Sequence, residues 1–314
     1  MTARLPAMTC PMPACGRPMS NRAYTPNARG GAPTASSYDR CLRQCSSCGI
    51  GVSNGRSKTT IIHRDPLQNV PVEVRAGASD TLAAALNVRN RPTKLIKFGF
   101  DTSEDAVTWT VFSYLHRHQR QALAGLYQGL FGIPADGVPE LLLWGVPVQG
   151  DSSASSVGPN LVAVSDALGE VPASRSEPDV VLDFGSAGVV VIEVKYRSGN
   201  SKITRPSKFD RYVDGSPAFT NPATVKASGL YELTRNWRIA HDLAAGRPFV
   251  LVNLTMDGTL TSTRGLPGFV ASLATSTSQR FLPVSWRDFL IAARQATDCF
   301  PPWLDAYCHA RGLR

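Results

Sequence analysis

One segment of the chain, from Glu177 to Lys195, constrains the fold more than any other. It consists of two short runs rich in β-branched residues on either side of a Gly-Ser-Ala-Gly turn, which predicts an antiparallel β-hairpin. Both runs are apolar enough for the middle of a sheet, yet they carry Asp179, Asp183, Glu193 and Lys195. Charged groups on a buried strand are costly unless a partner compensates them. The hairpin therefore predicts a sheet with a compensated set of charges at its rim.

The alternation of side chains and the length of the turn set the register that we expect. Glu193 and Lys195 are two residues apart, so they share one face of the second strand. If Asp179 lies opposite Glu193, then Phe184 faces Gly188 across a three-residue loop, which glycine makes feasible. This register brings two carboxylates close enough to share one metal ion.

The residue types of the hairpin suit a divalent cation. Asp179, Glu193 and the backbone carbonyl of Val194 offer the hard oxygen ligands that Mg²⁺ or Mn²⁺ prefers. Such an ion makes a bound water a better nucleophile and neutralises charge on a phosphate. Lys195 would stabilise that charge or help to deprotonate the water. Asp183 adjoins the turn, and we interpret it as a turn residue.

Pro178-Asp179 and Glu193-Val194-Lys195 resemble the two halves of the motif that names the PD-(D/E)XK, or restriction-endonuclease-like, nuclease superfamily. The resemblance covers residues 98 to about 294. It implies an α/β fold with a central mixed β-sheet flanked by helices, and a Mg²⁺-dependent endonuclease that acts on DNA. Many members carry an additional acid on the first core helix; Glu104 is the best match for this further ligand, and Asp105 is the second choice. An Asp followed by Glu-x-Lys also occurs by chance, and a hairpin can carry such charges on a solvated face.

The pattern of elements from Phe98 onwards agrees with a mixed sheet flanked by helices. A helix is expected to start after a cap at Thr102 or Ser103, followed by a second helical stretch through Leu130. After the hairpin, residues 196–224 show no obvious element. The remaining predictions are strands at 141–147, 161–164 and 248–254, and helices at 225–245 and 285–294.

An excess of basic residues suits a polyanionic partner. The net charge is +9 and the pI about 9.4. A basic run after the hairpin is expected to grip the phosphate backbone of DNA, although a solvated surface loop explains any one of its members equally well. Its residues are Arg197, Lys202, Arg205, Lys208 and Arg211.

Residues 1–60 hold five of the seven cysteines, and four of these predict a zinc site. Cys10 and Cys15 form one pair and Cys45 and Cys48 the other, each ending with Cys-Gly. Four thiolates at such spacing bind Zn²⁺ tetrahedrally and stabilise a segment too small to fold alone. The segment resembles a zinc ribbon, except that four residues separate the first pair instead of two. Cys41 is a competing ligand, and a disordered tail with free thiols is the alternative.

The organisation predicted is a zinc-binding module over residues 1–60, a connecting segment over 61–97 and a nuclease domain over 98–314. A phosphate-cradling loop of the type found in ATP motors is absent from the sequence, as is an apolar run of the roughly 18 residues that span a membrane. The start of the sequence does not resemble a secretory signal, and we expect a cytoplasmic location.

Two functions are open on the sequence alone. The first is a DNA nuclease in prokaryotic defence or restriction, acting as a homodimer or within a larger defence complex. The second is a module with a nuclease-like fold that binds nucleic acid without cutting it.

Overall fold

The computed structural model describes residues 1–55, 59–133, 138–148, 157–200, 203, 205–257, 259, 263–297 and 300–313, and these residues contain two β-sheets. The strands are β1 (Ser20–Asn21), β2 (Arg43–Cys45), β3 (Ile50–Val52), β4 (Ile61–His63), β5 (Glu140–Leu143), β6 (Val146–Pro147), β7 (Val180–Asp183), β8 (Val189–Val194), β9 (Phe249–Thr255) and β10 (Gln279–Ser285). The helices are α1 (Ala78–Ala84), α2 (Arg91–Phe98), α3 (Glu104–His118), α4 (Arg120–Phe131), α5 (Val157–Ala167), α6 (Asp210–Val213), α7 (Pro222–Ser228), α8 (Tyr231–Ala244), α9 (Leu266–Ala271), α10 (Trp286–Ala296) and α11 (Pro302–Ala310). No helix among these residues is both long and apolar enough to cross a membrane.

The larger sheet has six strands in the order β10-β9-β8-β7-β5-β6. Strands β8, β9 and β10 run parallel, whereas β7, β5 and β6 are joined by antiparallel pairing. Helices cover both faces of the sheet, so alternate residues of the central strands are buried on opposite sides. The predicted α/β fold with a mixed sheet flanked by helices is confirmed.

The hairpin of β7 and β8 has the predicted register. Val180 pairs with Ile192 and Val181 with Val191, which sets Asp179, the residue before β7, opposite Glu193. The three-residue loop is closed by a hydrogen bond from the N–H of Phe184 to the carbonyl of Gly188 (2.9 Å). Gly188 has φ 138°, and a Cβ there would lie 2.5 Å from the carbonyl oxygen of Pro248. Only glycine allows the strand to begin this close to its neighbour.

Two apolar layers hold the helices on the sheet. Alternate residues of β8, including Val190 and Ile192, face α3, α4, α10 and α11, where the rings of Trp109 and Trp144 stack at 6.3 Å. The intervening residues, including Val191, face α5, α6, α7 and α8. Burial on both faces explains why the central strands are continuous apolar runs.

Several predicted elements differ from the structure. Residues 161–164, predicted as a strand, lie within helix α5. A short apolar run is equally compatible with a strand and with a buried segment of a helix. The single helix predicted over 225–245 is divided into α7 and α8 by Gly229, whose φ is 72°. The stretch 196–224 contains α6 and the beginning of α7. Further elements that the sequence did not predict are β1, β2, β3, α2, α9, β10 and α11.

The smaller sheet comprises β1 to β4 and extends to His63. Its last strand is joined to the chain just before α3: Ile62 forms a β-bridge with Phe100, and the N–H of Asp101 donates to the carbonyl of Ile61 (3.0 Å). The cysteine-bearing sheet is therefore connected by backbone hydrogen bonds to the segment that leads into Glu104.

Candidate functional site

The charged residues of the hairpin gather where β8 ends. Glu193 and Lys195 are 3% and 5% exposed, and the ammonium Nζ of Lys195 lies 2.5 Å from Oε1 of Glu193. Asp179 reaches across the hairpin, where its Oδ2 accepts a hydrogen bond from the N–H of Val194 (2.8 Å). The predicted juxtaposition of Asp179, Glu193 and Lys195 is present in the structure.

Glu104, on the first turn of α3, contacts these residues from the helices that pack on one face of the sheet. Its Oε2 accepts hydrogen bonds from the N–H of Tyr196 (2.8 Å) and the hydroxyl of Ser198 (2.9 Å), and its Oε1 lies 3.6 Å from Nζ of Lys195. Ser103 caps the helix by accepting from the N–H of Ala106 (3.2 Å), so α3 begins at the residue that reaches the site.

The electrostatics of the site reflect crowded carboxylates around one lysine. Burial and the neighbouring Glu193 raise the pKa of Asp179 well above its usual value. Burial also raises the pKa of Glu104, against the opposing effect of Lys195. Burial disfavours the charge on Lys195, but the carboxylates outweigh it and raise the lysine pKa. A cation is thus held firmly among acids that repel one another.

Helix α8 contributes two side chains that sequence reasoning missed. The amide Nδ2 of Asn236 donates to Oε2 of Glu193 (2.5 Å), and Oε2 of Glu232 lies 3.2 Å from Nζ of Lys195. Glu232 and Asn236 are four residues apart, so they share a face of the helix. Polar residues at that spacing within a helix that buries Leu233 and Trp237 were the available signal.

Asn253 lies next to Glu193 on the neighbouring strand β9. Its side chain is fully buried, and neither its Oδ1 nor its Nδ2 has a hydrogen-bond partner among the described residues. A buried amide without partners costs free energy, typically about 1–3 kcal/mol. The end of the parallel strands therefore carries unused hydrogen-bonding capacity beside Glu193.

A second buried ion cluster adjoins the first. Nζ of Lys94 lies 2.9 Å from Oδ1 of Asp105 and 3.5 Å from Oε2 of Glu177, above the ring of Trp144. Its charge also lowers the pKa of Asp179 against the effect of burial. Asp105, the second choice for a helix-borne ligand, is engaged by Lys94, whereas Glu104 faces the hairpin.

The acidic site offers the right donors for Mg²⁺ but is not a tight cluster. Among the described residues, the four cysteines are the group whose ligand atoms all lie within 4.8 Å of one another, and the acids are spread more widely. The ammonium of Lys195 lies among the acids, in contact with Glu193, Glu104 and Glu232. Carboxylate oxygens are the donors that a hard cation prefers, but the raised pKa values of Asp179 and Glu104 favour the protonated forms of these two groups.

The cysteine cluster can hold a structural metal such as zinc. The sulfur atoms of Cys10, Cys15, Cys45 and Cys48 lie within 4.8 Å of one another. A tetrahedral zinc site with Zn–S bonds of about 2.3 Å has sulfur–sulfur edges of about 3.8 Å. The Cys15–Cys45 pair has that separation, 3.8 Å. The backbone N–H of Arg17 lowers the pKa of Cys15 to about 7, whereas hydrogen bonding with Cys15 raises the pKa of Cys48 and burial raises that of Cys10. Cys15 is therefore the thiol of the cluster that most readily supplies a thiolate.

Cys41, the competing ligand, lies outside the cluster. It is fully buried against Gly51, where a Cβ would lie 2.5 Å from its sulfur, and its Sγ donates to the carbonyl of Ser37 (3.5 Å). Burial raises the pKa of Cys41 to about 11. Cys41 therefore packs in the interior of the small sheet as an apolar thiol.

The predicted nucleic-acid-binding residues that the structure describes lie in two segments of the chain. Arg197 is exposed next to Glu104, in the loop that follows β8. Arg205, Lys208 and Arg211 are exposed on the segment around α6, which packs on Tyr231 at the start of α8 through the rings of Phe209 and Tyr212. Lys202 lies outside the described residues.

Comparison of the chain with protein-family models, with curated proteins and with solved structures found no match. The resemblance to PD-(D/E)XK nucleases therefore rests on the residues of this chain alone.

Proposed function

We propose that the chain is a Mg²⁺-dependent nuclease that hydrolyses phosphodiester bonds of DNA on a restriction-endonuclease-like core. The observation that carries the proposal is the convergence of Asp179, Glu193 and Lys195 with Glu104 at the end of one buried strand. Three carboxylates and a lysine, brought together from two strands and a helix, are costly to bury without a function.

In this proposal Glu104, Asp179, Glu193 and the carbonyl of Val194 hold Mg²⁺ or Mn²⁺. The bound metal supplies Lewis acidity to the scissile phosphate and lowers the pKa of a water. Lys195 offers a hydrogen-bond donor and a positive charge at the same position. Asn236 orients Glu193 through its 2.5 Å hydrogen bond. Such support from a neighbouring layer keeps a ligand in one rotamer.

The four-cysteine site is proposed to hold Zn²⁺ in a zinc-ribbon-like module that helps to bind DNA. A role in prokaryotic defence or restriction, and assembly as a homodimer or in a larger defence complex, follow from the family resemblance alone.

Cleavage of labelled single-stranded, duplex and branched DNA, with and without Mg²⁺ or Mn²⁺, tests the proposal. We expect metal-dependent products, and a loss of about 10²–10⁴-fold in rate for Glu193→Gln and Lys195→Met. Asp183→Asn is the matched control, because Asp183 lies at the other end of β7, where it pairs with Arg247 (2.8 Å). Full cleavage by both site variants would refute the site.

The alternative is a nucleic-acid-binding module without catalysis. It is favoured by the ammonium of Lys195, which compensates Glu193, Glu104 and Glu232 within the chain itself. A binder of this kind retains its DNA affinity across a Mg²⁺ or Mn²⁺ titration and never yields products, whereas a nuclease yields products once metal is added.

A further inference from the structure

A cavity of about 440 Å³ lies between the small sheet, the end of β8 and helix α11. Its volume is within the range of pockets that hold small molecules. Its charged and aromatic lining includes His63, Arg75, Asp101, Arg197, Tyr307 and Arg311.

Positive charge dominates this cavity. Arg75 donates to the carbonyl of Val70 (2.9 Å), and Arg197 to that of Arg311 (3.4 Å). Arg311 donates to Oδ1 of Asn69 (2.5 Å) and to the carbonyl of Asp101. None of these guanidinium groups forms an ion pair with a carboxylate of the described residues. Three cations against the single lining carboxylate, Asp101, suit an anion with two charges.

Three buried polar atoms of the cavity lining, Nδ1 of His63, Oδ1 of Asp101 and the hydroxyl of Tyr307, have no hydrogen-bond partner among the described residues. Those of His63 and Asp101 need partners of a different kind from an anion. Burial and Arg311 lower the pKa of His63 to about 4, so the imidazole is neutral at physiological pH. The carboxylate accepts hydrogen bonds, and Nδ1 donates or accepts according to the tautomer. A simple anion would satisfy the arginines but leave Asp101 facing like charge.

We propose that this cavity binds one nucleotide, with its phosphate on Arg75, Arg197 and Arg311 and its sugar hydroxyl or base amine on Asp101 and His63. A nucleotide combines the anion that the arginines require with the donors that the orphaned atoms of Asp101 and His63 require. Arg311 also covers the ring of Tyr307 (4.8 Å), which leaves a flat, cationic wall suited to a base.

The cavity adjoins a second cavity that reaches Glu104 of the acidic site. Thr102 and Arg197 line the first cavity and also line the second, which has a volume of about 450 Å³ and contains Glu104 and Lys94. One residue, Ser103, lies between Thr102 and Glu104, so their Cα atoms are at most about 7 Å apart. This part of the inference rests on the proposed function: the nucleotide is the end of a DNA strand held at the acidic site, or a free nucleotide bound beside it.

Binding of deoxyadenosine monophosphate, measured by calorimetry without added divalent metal, tests the cavity independently of cleavage. We expect the wild-type chain to bind it more tightly than deoxyadenosine or inorganic phosphate. Arg75→Gln removes one phosphate contact, and Ala310→Trp fills the cavity from an exposed helix position. Each should weaken binding about tenfold or more. Arg287→Gln, an exposed arginine on α10 away from the cavity, is the matched control.

The inference is overturned if the nucleotide binds no more tightly than inorganic phosphate, or if both cavity variants bind it as the wild type does. Asp179→Asn should bind the nucleotide normally. Loss of cleavage with retained nucleotide binding therefore identifies a failure of the acidic site, while retained cleavage without nucleotide binding identifies a failure of this inference.

Linear and covalently closed circular DNA separate the two sources of the nucleotide. If a strand end occupies the cavity, Arg75→Gln slows cleavage of linear DNA and leaves circular DNA unaffected. If a free nucleotide occupies it, added deoxyadenosine monophosphate changes the rate on both substrates. No effect of the variant or of the nucleotide on either substrate would overturn the link to the acidic site.

Discussion

The two sheets of this molecule are stabilised by different means. The six-stranded sheet buries large side chains on both faces, including Trp109, Trp237 and Trp286. The small sheet has strands of two or three residues and a thin core around Ile50 and Val52, next to the four sulfurs. A segment with so little apolar burial depends on a crosslink or a metal, whereas a deep core tolerates a cluster of charges at its rim.

If the cysteine cluster holds a metal, chelation should destabilise the small sheet and leave the six-stranded sheet folded, which is the largest difference that we expect between them. We expect about one zinc per chain, and unfolding of residues 1–63 on chelation, because structural zinc contributes about 10–16 kcal/mol of binding free energy. Metal analysis and hydrogen exchange before and after chelation measure this. If the amides of β1 to β4 stay as protected from exchange after chelation as before it, the small sheet does not depend on a metal.

Lys195→Met should be the most damaging change in the large sheet. It leaves Glu193, Glu104 and Glu232 without their shared cation, and breaking a buried ion pair in this way costs about 3–5 kcal/mol. Urea unfolding at neutral pH measures the loss, with Lys226→Met, whose ammonium pairs at 2.6 Å with the exposed Asp214, as the control.

The acid dependence of the Lys195→Met variant has a definite sign. Burial raises the pKa of Asp179 and of Glu104 above their unfolded values, so the folded state takes up protons at a higher pH than the unfolded state. Stability should therefore rise as the pH falls through the raised folded pKa values, until the unfolded carboxyls are protonated as well. If the variant instead loses stability steadily as the pH falls over that range, Asp179 and Glu104 do not determine its pH dependence.

Cys41→Ala distinguishes packing from ligation in the small sheet. Since Cys41 packs on Gly51 outside the sulfur cluster, we expect unchanged zinc content and a loss of about 1 kcal/mol in stability. Cys15→Ala is the matched comparison and should lower the zinc content. Loss of zinc in the Cys41 variant would assign it to the metal site.

Asp179→Asn should have the smallest effect on stability of these substitutions, and it should stabilise the protein where the others destabilise it. Because burial and Glu193 disfavour the charge on Asp179, a neutral amide should raise the melting temperature by a few degrees while abolishing metal-dependent cleavage. Thermal unfolding without added Mg²⁺ measures this, with Asp183→Asn as the control. A lower melting temperature would mean that the hydrogen bond from Val194 outweighs the repulsion.

Local sequence patterns predicted the features of the fold that depend on neighbouring residues, and they failed for several elements whose burial depends on distant contacts. The register of β7 and β8 followed from alternation and turn length. Residue type restricted the cap of α3 to Thr102 or Ser103, and the structure shows Ser103. The strand predicted over 161–164 was wrong, because a short apolar run does not distinguish a strand from the buried face of α5. Strand β10 was missed because only its last residues are buried.

The sequence by itself determined the residues that converge at short range: Asp179, Glu193 and Lys195 on one hairpin, and two cysteine pairs at fixed spacing. Their geometry follows from strand periodicity and turn length, which are local. Only the tertiary structure decided that Asn236 hydrogen-bonds Glu193 from 43 residues away, and that of the two candidate acids on α3 Glu104 contacts the end of the hairpin while Asp105 pairs with Lys94. Packing of whole layers sets those contacts, and no local pattern encodes which helix covers which strand end.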